Sequence, residues 1–282
     1  DPAGPAGGSC CLLALDAVCD TRPRAGTGIF TGMLKTLRAE RPDLDVMAVL
    51  TTTRSAADGL AELVAESRRA RLLPVTVLAA GRRYVPLPVP RADAGEGPGP
   101  LRLDRTSVVV AAGGSRGVTA ALLTALAQRS APTLWVLGSN RLDHPAADDA
   151  RPSRAEFLAA AHAAGSGRKL AELNRVFDRL MQAWEARATL EELTRLCGAG
   201  SVHYRVCDLT DPAAVARTVD EIQAVSGRVD LVLYGAGISR SAALERKRLA
   251  DFRAVRDVKA LGYAHLRRAF AGRPPLAWCN RS

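Results

Sequence analysis

Aromatic residues make up only 4% of the 282 residues, and only four of the 39 basic residues are lysines (Lys35, Lys169, Lys247 and Lys259). With few rings to stack on, and with arginines scattered rather than gathered into a stripe, the chain does not read as a nucleic-acid binder. The six cysteines, at 10, 11, 19, 197, 207 and 279, form no C-x-x-C pair, and the four histidines stand far apart. No metal-ligand spacing results, so no metal is expected, and the thiols read as reduced ones of a cytoplasmic protein. No apolar run approaches the roughly 18 residues of a membrane span. The stretch CCLLALDAV imitates the core of a secretory signal. No basic segment precedes it and Asp16 interrupts it, so it reads as a strand.

What is present is a chain that can bury a core. Apolar residues are 48% of the total, carried by alanine and leucine, which suits helices packed on a parallel sheet. The length fits one to two domains. The net charge of +10 favours acidic partners. The sequence opens at Asp1 without a methionine and stops within the apolar run PPLAWCNRS, so it reads as a piece of a longer chain.

Strands and helices alternate along the chain. Residues 9–18 read as a buried strand, GTGIFTGMLKTLRAERP as a helix closed by Pro42, and DVMAVLTTT as a second strand. SAADGLAELVAESRRA reads as a helix capped by Ser55. LPVTVLA and RRYVPLPVP follow as a strand and an edge segment, the latter confined to an edge by its prolines, and 92–100 reads as a linker. A second unit begins at Thr106. SVVVAAGG, APTLWVLGSN, SVHYRVCDL, RVDLVLYGAG and PPLAWCN read as its strands, the last of them buried. The helices between them are expected at 115–129, 153–197 (broken near AGSG), after Asp211–Pro212, and 246–270. This alternation predicts an α/β fold with a doubly wound, Rossmann-like parallel sheet in two sequential units. The units are expected at 1–104 and 105–282, with a helical insert over about 142–200.

The stretch SVVVAAGGSRGVTAALLTAL (107–126) has the placement that a phosphate site needs: it leaves a buried strand and opens a helix. Gly113, Gly114, Ser115, Arg116, Gly117 and Val118 form the candidate cradle, although its spacing is not the G-x-G-x-x-G of the dinucleotide fingerprint. GTGIFTG is similar only in its glycine spacing, and no second cofactor signal follows it. Three strand ends add to the first. Ser139, Asn140 and Arg141 end the next strand with no carboxylate, which with Arg116 suits a 2′-phosphate and points to NADP(H). Cys207, Asp208 and Leu209 end another, where Asp208 is either an adenine contact or a turn residue. Gly235, Ala236 and Gly237 end a third, and their small side chains let a flat cofactor pack on backbone.

In the helix after YGAG, Phe252, Val255, Lys259, Gly262 and Leu266 fall on one face at helical spacing. A lysine there is costly to bury, so it either snorkels, pairs with an acid such as Asp257, or points into a site.

Together these residues resemble the short-chain dehydrogenase/reductase superfamily. AGGSRGVT (112–119) is similar to its T-G-x-x-x-G-x-G loop, with Ala112 for threonine and Thr119 for the last glycine. CDLTD is similar to its adenine-contacting segment, and YGAG stands where the family has N-A-G or H-A-A-G. FRAVRDVKALGYAHL resembles the lysine helix of polyketide synthase ketoreductases. The first hundred residues resemble the structural half of those enzymes. WEARATLEELTRLCGAG and LAWCN look most like iterative synthases of the enediyne and polyunsaturated-fatty-acid type.

The resemblance implies reduction of a β-ketoacyl thioester by NADPH. The substrate would ride on the phosphopantetheine of an acidic acyl carrier protein, beside other synthase domains. It makes Lys259 the counterpart of the catalytic lysine. Ser282 is either the catalytic serine or the small residue before it. The catalytic tyrosine is missing from the chain, so a fragment that binds NADPH without reducing a ketone is expected. The L-D-D stereochemical motif is also absent, SRS (239–241) lying near its place. The alternatives are a non-catalytic synthase module and a free-standing carbonyl reductase.

Overall fold

The computed structural model describes residues 8–71, 73–87, 101–142 and 151–280. Ser282 and the 92–100 segment lie outside these residues. The chain folds as two compact units, residues 1–97 with 242–247, and residues 98–241 with 248–282.

In the first unit, strand β1 (Ser9–Ala14) leads into a short ribbon, β2 (Val18–Cys19) and β3 (Arg22–Pro23). Helix α1 (Gly28–Glu40), β4 (Asp45–Thr51), α2 (Ala56–Ser67), β5 (Val75–Ala79) and β6 (Arg82–Tyr84) follow. The sheet order is β1-β4-β5-β6, with β1, β4 and β5 parallel and β6 antiparallel at the edge. Ser55 caps α2 by accepting from the Asp58 N–H. The strand expected over 9–18 stops at Ala14, because the chain turns at Asp16, whose φ is +46°. β1 is also only half-buried, since it pairs with β4 alone.

One buried carboxylate ties this unit together. Glu66, on α2, accepts from Thr76 Oγ1 on β5 at 2.8 Å and from Arg83 Nε on β6 at 2.9 Å. Burial alone would push its carboxyl up, but the Arg83 and Thr76 bonds outweigh that and hold it below its ordinary value. A carboxyl depressed in the folded state contributes stability above its unfolded pKa, and that stability is lost as pH falls through the folded value. Glu66→Gln is therefore expected to cost about 1–3 kcal/mol at neutral pH and to flatten the acid loss. Urea unfolding at pH 7 and in mild acid checks this. Unchanged stability at both would refute it.

The second unit runs β7 (Val108–Ala112), α3 (Gly117–Ser130), β8 (Thr133–Gly138), α4 (Arg154–Ala163), α5 (Leu170–Cys197), β9 (Val202–Val206), α6 (Pro212–Ser226) and β10 (Leu231–Tyr234). It continues with α7 (Leu249–Arg256), a π turn over 257–261, α8 (Gly262–Ala269) and β11 (Ala277–Asn280). The five strands are all parallel in the order β11-β10-β7-β8-β9. Counted within the unit this is 3-2-1-4-5, the doubly wound order read from the opposite edge.

Both sheet faces are covered, which is why VVVAA and TLWVLG are continuous apolar runs. Val110, Trp135, Val232 and Tyr234 pack with Val219 and Ile222 of α6 and Leu266 of α8. Val109, Leu134, Val136 and Leu233 pack with Leu123 of α3 and Leu193 of α5. Asp211 caps α6 by accepting from the Ala213 N–H, with Pro212 in its first turn. The helical insert is a hairpin of α4 and α5, joined by Phe157 against Phe177 and by Arg154 to Asp178. No helix among the described residues is long and apolar enough to cross a membrane.

Two expectations change here. β11 is not a buried strand: it pairs with β10 alone and stays half-buried to exposed, because it is the sheet's edge. Phe252 does not lie on a buried stripe and is 48% exposed. The π turn inserts one residue between Phe252 and Leu266 and so breaks the phase that a regular helix would keep.

Candidate functional site

The strand register aligns the C-terminal ends of the second sheet. Ala112 stands opposite both Leu137 and Tyr234, and Gly138 opposite Val206. The chain order reverses between β7 and β10, and an open α/β sheet leaves a crevice beyond its strand ends at such a point. A cleft of about 340 Å³ lies there. In the first unit the parallel strands follow chain order, so no reversal point arises. Its GTGIFTG glycines have no positive φ, and no atom lies within 4 Å of an added Cβ at Gly26, Gly28 or Gly32.

Twelve of the expected residues line the cleft: Gly113, Ser115, Arg116, Val118, Ser139, Asn140, Cys207, Asp208, Leu209, Gly235, Ala236 and Gly237. Gly113 has φ +80°, and an added Cβ would fall 2.7 Å from Ala236 Cα and 2.9 Å from Ala236 N. Here two backbones touch, and only glycine fits. Gly114 stands outside the lining and lets α3 pack on β7, since a Cβ there would meet Leu123 and Ala111. Gly117 starts α3 with φ +61°. The free N–H groups of that helix's first turn and its dipole face the β7 loop, which suits an anion. Such a cradle fits a dinucleotide pyrophosphate.

Thr119, which takes the place of the family loop's last glycine, is buried against Gly235, where a Cβ would collide with it. The extra bulk at 119 is matched by the missing side chain at 235.

Asn140 is held from below. The Tyr204 hydroxyl donates to its carbonyl at 2.7 Å, and the Tyr204 ring fills the space beside Gly138. Burial pushes the Tyr204 phenol up, while the Asn140 bond and the positive field of Arg116 oppose it. Arg116 lines the cleft together with Ser139 and Asn140 at the end of β8. Arg141 lies outside the cleft lining and borders a neighbouring cavity of about 600 Å³, shared with Ser139, Asn140 and the insert residues Phe157, Val176 and Leu180.

Asp208 accepts the Thr210 N–H at 2.9 Å and its hydroxyl at 2.7 Å on one carboxylate oxygen, and these bonds lower its pKa. It is thus a turn residue, with its second oxygen outside that turn. The Cys207 thiol is pushed up by burial. The carbonyl of Leu209 accepts from His265 Nδ1 at 3.0 Å, which ties this strand end to α8.

Lys259 is half-buried and crosses Gly237, where an added Cβ would lie 3.1 Å from its Cε and 3.9 Å from its Nζ. Asp257 does not pair with it, because Arg256 takes that carboxylate at 2.8 Å. Among the described residues Lys259 has no hydrogen bond or ion pair. Thr119, which the sequence marks only as the loop's last position, also lines the cleft, as do Leu137, Gly138, Ile238 and Val258, which were not singled out from the sequence. Glycine at the end of β8 was the available sign for Gly138; Val258 enters only through the π turn. No tyrosine lines the cleft among the described residues.

A reversal point with a glycine cradle, an arginine in the loop after the first strand and a lysine across the fourth strand end belongs to a Rossmann-like fold of the short-chain dehydrogenase/reductase type. Within it, the family model of the KR domain matches residues 107–278, and the chain belongs to this ketoreductase family. Over 263 residues it is 24% identical to a polyunsaturated fatty acid synthase protein of Thraustochytrium sp., covering 88% of this chain and 9% of that protein. Over 88 residues it is 35% identical to polyketide synthase ThaG of Burkholderia thailandensis, covering 31% of this chain and 2% of that protein. The chain thus spans less than a tenth of these curated relatives.

An N-terminal ketoreductase from the macrolactin assembly line matches with a TM-score of 0.62 at 15% identity, over 97% of this chain and 46% of that one. A ketoreductase domain from the bacillaene assembly line matches at 0.59 and 20% identity, over 85% and 46%. At these identities the likeness is one of fold.

Proposed function

We propose that the second unit binds NADP(H) and forms the reducing half of a β-ketoacyl-thioester reductase within a cytoplasmic multidomain synthase. The first unit is its structural partner. The observation that carries the reading is the convergence of four strand ends on one cleft at the sheet's reversal point, with Lys259, itself outside the lining, lying against Gly237 at its edge.

The β7 loop and the start of α3 hold the pyrophosphate through backbone N–H groups. Ser139, Asn140, Arg141 and Arg116 take the 2′-phosphate, and Asp208 and Leu209 border the adenine. Gly235, Ala236 and Gly237 give the flat ring a backbone surface. When bound, the nicotinamide supplies the hydride for carbonyl reduction. Lys259 orients a ribose hydroxyl and lowers the pKa of the proton donor, and Ser282 is assigned to polarising the carbonyl. The net charge of +10 suits an acidic acyl carrier protein that presents the ketone on phosphopantetheine. The six unpaired cysteines suit a reducing compartment.

Titration with NADPH and with NADH, followed by nicotinamide fluorescence, tests this. Strong preference for NADPH is expected. With Tyr84, Tyr204, Tyr234 and Tyr263 all away from the cleft lining, no sustained NADPH consumption with a ketone is expected from these 282 residues. Failure of the folded chain to bind either nucleotide would sink the reading. A non-catalytic module is the second reading. Binding of NADPH by a longer natural chain that still reduces no ketone would select it.

A further inference from the structure

The helix that carries Lys259 has one irregularity, and a buried hydroxyl sits on it. In a regular α-helix the Gly262 N–H would bond the Val258 carbonyl. Here it bonds the Asp257 carbonyl, one residue earlier, within the π turn over 257–261. The Val258 carbonyl therefore loses that donor, and the Tyr234 hydroxyl donates to it instead. Tyr234 ends β10, is fully buried, and meets the Tyr263 ring edge-on at 5.3 Å. Burial pushes its phenol pKa well above the ordinary value, so it stays a neutral donor across the working pH range.

The helix backs onto this phenol closely. A Cβ at Gly262 would fall 2.5 Å from the Tyr234 hydroxyl and 3.0 Å from Leu209 Cβ. With a regular α phase, Lys259 would share the face of Gly262 and Leu266, which packs against the sheet. The extra residue hands that position to Val258, which packs on the core and lines the cleft. Lys259 is left at the edge of the face, across Gly237.

We propose that Tyr234 is a positioning residue for Lys259. Its hydroxyl takes the Val258 carbonyl, favours the π turn over an α turn, and so sets the lysine across Gly237, at the edge of the cleft, rather than on the core face. The consequence for cofactor binding rests on the reading of the cleft given above. The aiming itself does not.

With only four lysines in the chain, reductive ¹³C-methylation gives a spectrum in which Lys259→Arg assigns the Lys259 signal. In the cofactor-free Tyr234→Phe variant the Lys259 signal is expected to move, while the Lys35, Lys169 and Lys247 signals stay in place. NADPH affinity is expected to fall about five- to tenfold, the scale of one lost hydrogen bond. Gly262→Ala presses on the same hydroxyl and should move the same signal. The double variant should move it no further than the larger single change, since both act through one turn.

A folded Tyr234→Phe chain with an unmoved Lys259 signal would overturn the proposal. If that chain does not fold, Gly262→Ala decides on the same signal. Movement of the signal without NADPH binding in the parent chain would sink the functional reading and leave this one standing. NADPH binding with an unmoved signal would do the reverse.

Discussion

Gly113→Ala is expected to abolish measurable NADPH binding and to destabilise the second unit by roughly 2–5 kcal/mol, from backbone strain plus overpacking. Gly113 has φ +80°, and its new Cβ would lie 2.7 Å from Ala236 Cα. Neither side can step back. The Gly113 N–H is bonded to the Leu137 carbonyl at 2.8 Å, and the Gly235 N–H to the Ala112 carbonyl at 3.0 Å. Relief would require the β7 and β10 loops to part, and those loops are the floor of the cleft. A nucleotide that has to draw those loops together again meets that cost, and at about 1.4 kcal/mol per tenfold it corresponds to a loss of affinity of roughly thirtyfold or more. Gly117→Ala is the companion measurement. It also has positive φ, +61°, but nothing lies within 4 Å of its Cβ, so only the backbone cost of roughly 1 kcal/mol should appear. Urea unfolding and nucleotide titration of both variants separate strain from collision. Near-parental NADPH affinity in Gly113→Ala would refute the cradle.

The second large effect concerns nucleotide choice. Arg116→Ala combined with Arg141→Ala is expected to bring NADPH affinity down to that of NADH, with NADH itself changed less than about threefold. A charge-assisted contact to phosphate is worth roughly 1.5–3 kcal/mol, so each arginine contributes roughly ten- to a hundredfold. Among the described residues the end of β8 offers no carboxylate to hold an unphosphorylated ribose, and Arg116 lines the cleft with Ser139 and Asn140, the latter supported by the Tyr204 hydroxyl. Ser139→Asp should act in the opposite sense, repelling a 2′-phosphate and accepting from a 2′-hydroxyl, and should turn the preference toward NADH. Raising the salt should weaken NADPH more than NADH in the parent chain and equally in the double variant. If the double variant still prefers NADPH by its original factor, the 2′-phosphate lies elsewhere.

The pattern of elements was legible because it is written in local chemistry. Ser55 and Asp211–Pro212 start their helices where they should, since a cap needs only its own next turn. The glycine loop was legible because positive φ at Gly113 and Gly117 is a demand that a sequence can state. Other features depend on residues distant in sequence. Whether the final apolar run is central or at an edge depends on strand order, and β11 proves to be the edge. Why Thr119 is tolerated depends on Gly235, and why Gly138 is needed depends on Tyr204.

The apolar stripe that Phe252, Lys259 and Leu266 make on paper assumes a regular helix. The hydroxyl of Tyr234, on a strand, holds the carbonyl where that regularity ends. By itself the sequence determined the alternating α/β fold and the glycine loop between β7 and α3. Only the tertiary structure decided that four strand ends share one cleft, and which way Lys259 faces. Alternation and turn chemistry act within a few residues, whereas strand order and the phase of a helix are set by packing across the fold.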